Sequence, residues 1–256
     1  YILETGADFC RIRAEGLKMK HTFLLPVHIL VPAAGSLLFL IYFRFSGWSG
    51  IGQTAGYMEI IGVALPFAVS IVCGGSVRLE EENHFQIFLG SPGSKWRALA
   101  VKLLVLGGMG FLAVFGAVVL FGAGYCFVLG REGISAEAYV MLAAVLFLGS
   151  LPLYLEHLFL NLAFSRTVSQ CAGVAQFLLS ALFLTGLGEG RWQFFPCTWS
   201  ARGVMLALRS VYQGEGAGTG FWEAGKTVLI CLLLVGLICA IIGIWFYHYE
   251  GRQCND

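Results

Sequence analysis

RLEEENHFQIFLGSPGSKWRALAVK, residues Arg78 to Lys102, is the stretch whose reading decides the fold. It follows an apolar run, Ala55 to Val77, and leads into another, so it joins two membrane helices. It is patterned as more than a linker. Glu80 to Leu89 carries three acids, then Phe85, Phe88 and Leu89 at i, i+3, i+4, the spacing of one helical face. Ser91-Pro92-Gly93 ends that short helix, because Pro cannot continue it and Gly permits the turn. Lys95, Trp96, Arg97 and Lys102 suit the headgroup region, where long cations reach water. The pattern predicts a short amphipathic helix just inside the membrane, shaped to engage a cytosolic partner. The plainer alternative is a solvated loop whose apolar residues lie on lipid.

Outward from this loop, composition sets the class. Hydrophobic residues make up 58% and charged residues 12%, with mean hydropathy +0.79, whereas soluble domains are about 25% charged. An all-α polytopic membrane protein of a single domain is expected. A net charge of +1 argues against a nucleic-acid partner. The eight cysteines form no CxxC pair, and most lie in apolar runs, so they read as small packing residues.

Six spans are expected: 22–43, 55–77, 98–129, 138–164, 168–187 and 221–247, each near or above the roughly 20 residues that cross a bilayer. The loop between the second and third spans is 78–97. No cleavable signal is expected, because the first apolar run begins only at Thr22. Ahead of it, Phe9, Ile12, Gly16 and Met19 form an apolar face among Arg11, Arg13, Glu15, Lys18 and Lys20. That suits an interfacial helix over residues 1–21 on an anionic leaflet, or else a basic tail. Lys and Arg number ten on the side of the termini (Arg252 included) and six opposite, so both termini are expected in the cytoplasm.

The outer segment, 188–220, crowds Trp192, Phe195, Pro196 and Trp199 together. Ser200 is placed to cap a short helix with Val204, Leu208 and Val211 on one face, and the Gly-rich run Gly214 to Gly220 reads as a return. Two readings stand: an outer lid over a membrane cavity, or a re-entrant or interfacial hairpin that seals the top of the bundle. Glu59 lies inside the second span, where an acid is costly and by default functional. It either attracts a cationic substrate or is hydrated near the outer interface.

Catalytic patterns are missing from the sequence. There is no GxxxxGK[ST] loop and no HExxH; Glu156-His157 stands without a second ligand at helical spacing and reads as a packed or interface-reaching pair. A non-catalytic membrane subunit is expected, with no metal or cofactor of its own.

Arg13 to Phe23, RAEGLKMKHTF, resembles the AE-x-LK-x-K opening of type-2 ATP-binding-cassette permeases, in particular the lantibiotic (bacteriocin) self-immunity permeases. The resemblance extends to the Glu-rich loop with Pro92, Lys95, Arg97 and Lys102, and to Trp192, Phe195, Pro196 and Trp199 before the last span. It implies that Glu80, Glu81, Glu82, Phe85, Phe88, Leu89 and Pro92 form a coupling helix. It also implies separate ATPase subunits, two copies, that bind ATP and Mg, a second homologous permease, and a Gram-positive cytoplasmic membrane. An amphiphilic antimicrobial peptide is then the implied substrate, with Glu59, Trp192, Phe195 and Trp199 as contacts. A permease for another lipid-like compound or drug, an ion-coupled secondary transporter and an intramembrane enzyme are the other readings.

Overall fold

The computed structural model describes residues 2–20, 22–90, 95–212 and 220–251. Among them the chain is helical, with no strand. In chain order come α1 (Ile2–Lys20), α2 (Leu24–Phe45), α3 (Gly50–Glu81), the five-residue α4 (Gln86–Gly90) and α5 (Lys95–Ala123), which runs on as a wider turn, Gly124–Val128. Then follow α6 (Ala136–Ala163), α7 (Arg166–Phe183), three single turns between Gly186 and Thr198, α8 (Trp199–Tyr212) and α9 (Gly220–His248). Pro92, the Ser91-Pro92-Gly93 turn, most of the Gly-rich return and Arg252 lie outside the described residues.

Helix starts follow local chemistry. Ser49, Ser135 and Ser165 each sit in extended backbone and accept the N–H of the third residue on, from Gly52, Ala138 and Val168. Each closes an orphan donor at the head of α3, α6 or α7.

Among the described residues, five helices are long and apolar enough to cross a membrane: α2, α3, α5 with its extension, α6 and α9 from Gly225. They fall on five of the six expected spans. The helix that falls short is α7, 18 residues and about 27 Å long, whose Ser169, Gly173 and Ser180 are buried, two of them against α3 and α6. Arg166, Thr167, Ser169, Gln170, Gln176 and Ser180 lower its hydropathy, and Ser169 and Ser180 among them are hidden in protein. The contrast between α9 and α3 follows the same rule. The apolar stretch of α9 has mean hydropathy 3.1 and is 6% buried, whereas that of α3 has 2.1 and is 67% buried. Lipid-facing helices must be greasy all round; a central helix can carry small and polar groups that find partners.

Packing joins α2 to α5, and α3 to α6, α7 and α8, while α5 meets α6. Two apolar cores result. One, at the end that carries α1, gathers Phe85, Phe88, Leu106, Leu158 and Phe246. The other, at the opposite end, gathers Phe43, Tyr57, Phe121, Tyr125 and Leu142. The segment between α7 and α9 folds back into the bundle. An ideal Cβ on Gly62 of α3 would stand 2.6 Å from the Ala201 Cα, and one on Gly149 of α6 would stand 2.7 Å from the Ser200 nitrogen. Gly149 is near the middle of α6, so α8 begins deep among the helices. Only glycine lets three backbones approach so closely. Ser200 Oγ donates to the Leu146 carbonyl at 2.9 Å, and Arg202 donates to the Phe183 and Thr185 carbonyls, closing the end of α7. The start of α8 is thus packed against α3 and α6.

Candidate functional site

At the α1 end three helices meet through charge. Glu80 Oε1 accepts from Lys18 Nζ and from Lys102 Nζ, each at 2.9 Å. Lys102 also donates to Glu15 Oε2 at 3.0 Å and to Ser76 Oγ at 3.2 Å, and Lys18 donates to Glu15 Oε1 at 2.8 Å. Two acids and two lysines make a neutral set, and Glu80 and Lys102 are each 1% exposed. Burial disfavours the Glu15 charge, but Lys102 and Lys18 outweigh it and hold the carboxyl below its usual range. Burial likewise opposes the Lys18 charge, and Glu15 and Glu80 outweigh it, raising its pKa. Because α3 continues through Glu81, Glu80 falls on the buried face with Ser76 and Val77. The expectation that Glu80 faces a partner is therefore corrected: it turns inward. Arg78 and Glu82 form only an exposed pair, 3.1 Å apart, of the kind worth little.

The single helix expected over Glu80 to Leu89 is also corrected. Glu80 and Glu81 end α3, and a turn precedes α4. His84 and Phe85 have φ of +50° and +57°, a left-handed conformation that costs roughly 1–3 kcal/mol per residue. Burial offsets that strain. Phe85 is 1% and Phe88 3% exposed, with Phe85 edge-on to Tyr249 and Phe88 edge-on to Phe246. The Phe85 N–H closes the turn on the Glu80 carbonyl at 2.8 Å. So Phe85 and Phe88 pack on the protein itself, with Leu89 partly buried beside them. What faces outward here is Glu82, Asn83, His84 and Gln86, with Glu81 half-buried. Lys95 Nζ reaches the Tyr247 and Tyr249 carbonyls and fixes the end of α9 alongside.

Between α2, α3 and α5 lies a cleft of about 250 Å³, lined almost wholly by apolar groups. Toward α1 its lining ends at Val27, His28 and Val72. At the other end Ser36 Oγ lies 2.7 Å from Tyr57 Oη and 2.8 Å from the Pro32 carbonyl, Tyr57 Oη lies 3.1 Å from the Ala117 carbonyl, and the Tyr57 ring stacks on Phe121 at 3.9 Å.

On α6 and α7 a chain of hydrogen bonds runs through protein. Asn161 Nδ2 donates to Ser169 Oγ at 2.8 Å; Ser169 lies 3.0 Å from His157 Nδ1; His157 Nε2 lies 3.0 Å from Gln176 Oε1; Gln176 Nε2 donates to Glu156 Oε1 at 2.6 Å. An amide oxygen only accepts, so the hydrogen sits on His157 Nε2, and Ser169 donates to Nδ1. Sequence reasoning left Glu156 and His157 without these partners. The signal was present: Ser169, Gly173, Gln176 and Ser180 form a stripe at helical spacing.

The expected substrate contacts sit on α3, in the segment between α7 and α8, and at the first residue of α8. Glu59 is half-buried in α3 and lies within the electrostatic reach of Arg209 and Arg202 of α8. Trp199 is 8% exposed and donates Nε1–H to the Gln193 carbonyl at 3.0 Å, holding the hairpin. Phe195 is exposed, edge-on to Phe183, and Trp192 is half-buried, its carbonyl taking the Thr198 hydroxyl. Among the described residues no group of three or more His, Cys, Asp or Glu could hold a metal ion.

These features define a multi-pass helical membrane protein. Comparison with family models, with curated proteins and with solved structures gave no match.

Proposed function

We propose that the chain is the permease subunit of an ATP-driven transporter of the type-2 ATP-binding-cassette class, which moves an amphiphilic antimicrobial peptide out of a bacterial cytoplasmic membrane and so protects the cell. In this reading α7 is the sixth span, the α1 end and both termini face the cytosol, and ATP and Mg belong to separate ATPase subunits. A second permease completes the path.

One observation carries the reading. The outward-facing turn around Glu82 to Gln86 is strained, and its root, Glu80, is bonded to α1 through Lys18 and to α5 through Lys102. A partner that pushes on the turn thereby moves three helices together. Both α3 and α5 are walls of the cleft, so the push reaches the membrane interior. A solvated loop has no need of such an anchorage.

The test is co-expression with the neighbouring genes, mild-detergent purification, and mass identification of what stays bound. An ATPase and a second multi-pass protein are expected. Glu82→Lys with Gln86→Lys, both exposed positions, is expected to lower ATPase recovery about ten-fold at unchanged melting temperature. Unchanged recovery would overturn the docking role of the turn. The alternative, an ion-coupled transporter, draws on the Glu156–His157 chain, and proton-driven flux with no ATPase bound would favour it.

A further inference from the structure

The cleft between α2, α3 and α5 has a shape that selects its occupant. It extends along α2 from Val27 to Phe39, about 18 Å at the helical rise, and its volume is about 250 Å³. A helix of that length, about 10 Å across with its side chains, exceeds this volume several-fold, whereas a slender polymethylene chain is of its order.

The cleft is also continuous with the surface that spanning helices turn to lipid. Val31 of α2 and Ile60 of α3 both line it, and both are exposed. They form its lip, on the side where α2 and α3 barely touch. Of its three polar side chains, Tyr57 is bonded to Ser36 and Ala117, and the Tyr154 hydroxyl is packed close on Gly110. The third, His28, stands at the α1 end, one turn from the head of α2, and its Nδ1 lies 2.7 Å from the Leu24 carbonyl. The Tyr57 hydroxyl is thus taken up by protein partners at the far end, and His28 is the polar side chain at the α1 end. An empty apolar cleft forfeits dispersion contacts along its lining, whereas a chain that fills it regains them.

We infer that this cleft is a binding site for one acyl chain of a membrane phospholipid, which slips in sideways between α2 and α3 with its ester end at His28 and its methyl end toward Phe39 and Tyr57. The site needs only that these helices span a bilayer, so it stands apart from the transporter reading and fails independently of it.

Gly35 supplies the test. It lines the cleft, and a Cβ added there has nothing within 4 Å. Gly35→Leu therefore adds a branched side chain to the cleft lining from a Cβ that meets no neighbour. Gly236 of α9 is equally open but is not among the residues lining the cleft, so Gly236→Leu is the control.

The full chain is reconstituted in bilayers containing phospholipid with a photoreactive diazirine either near the ester or near the methyl end of one chain. After illumination, adducts are mapped by mass spectrometry. Ester-end label is expected on the Val27 to Val31 part of α2, and methyl-end label near Phe39 and Ala117. Gly35→Leu is expected to lower these adducts about ten-fold, and Gly236→Leu to leave them unchanged. Equal adducts in Gly35→Leu would overturn the site, as would wild-type labelling with no end-to-end order, which does not depend on any variant's folding. Adducts formed only by a single-chain fatty-acid probe would overturn it in favour of a free amphiphile.

Discussion

The ion cluster at the α1 end and the hydrogen-bond chain between α6 and α7 bury comparable numbers of polar groups by opposite means. The first sets Glu15, Lys18, Glu80 and Lys102 against one another as charges; the second runs Asn161, Ser169, His157 and Gln176 as neutral partners before it reaches Glu156. Full charges cost several kcal/mol each to bury, even after relaxation. They are held where α1, itself no candidate span, lies against the ends of α3 and α5. Neutral groups cost less and in membranes return less, because an unfolded helix in lipid also finds partners. Charge is thus used where the protein must be fastened, and neutral bonding where two helices must only be kept in register.

The largest expected effect follows from breaking the charged set. Glu80→Leu leaves Lys102 buried with Glu15 as its one remaining acid, and should cost about 3–5 kcal/mol, the range for removing one partner of a buried pair. A thermal melt in detergent reads this as a large drop in melting temperature. Adding Lys102→Met should recover most of the loss, since a hydrophobic substitute for a whole buried pair is often neutral. If the single variant melts like the wild type, the cluster is not a fastening.

Removing Gln176 should matter less. Gln176→Leu leaves the His157 Nε2–H and the Glu156 carboxyl without the partner that joins them. Interhelical bonds in membranes average about 0.6 kcal/mol and reach about 1.7, so a loss near 1 kcal/mol is expected, well below that of Glu80→Leu. An equal or larger loss would erase the contrast between charged and neutral burial.

The same contrast marks what was legible in the sequence. Runs of apolar residues gave the membrane class and the course of the long helices, because the bilayer sets length and hydropathy directly. The period of Phe85, Phe88 and Leu89 was read as one helical face and assigned to an outside partner, whereas Phe85 lies in the turn ahead of α4 and is buried with Phe88. Periodicity says that a face is buried, not against what, and here Tyr249 and Phe246, some 160 residues away, cover it. Glu80 was read with Glu81 and Glu82 as one acidic group; its partners Lys18 and Lys102 lie 62 and 22 residues off, beyond any local pattern. Phe85→Asp is accordingly expected to disrupt the fold itself rather than to strip away a partner.

The smallest effect is a dependence on pH, and its sign is fixed by the cluster. Glu15 has its pKa lowered by the two lysines, so its contribution is present above the ordinary value of 4.5 and is lost as pH falls through the depressed one. Lys18 has its pKa raised by the two acids, so its contribution is present below 10.5 and is lost as pH rises through the raised one. Stability from these two groups is therefore level between those values and falls on either side. Both are partly exposed, so each limb should amount to about 1 kcal/mol or less after solvent screening. Other carboxylates and amines titrate as well, and the informative quantity is the difference between variants. Glu15→Gln should flatten part of the acid limb and leave the alkaline one, while Lys18→Met should do the reverse. Melting curves from pH 3 to 11 that shift both limbs together would mean that the cluster acts through packing alone, and that its charges are no more specific than the neutral chain between α6 and α7.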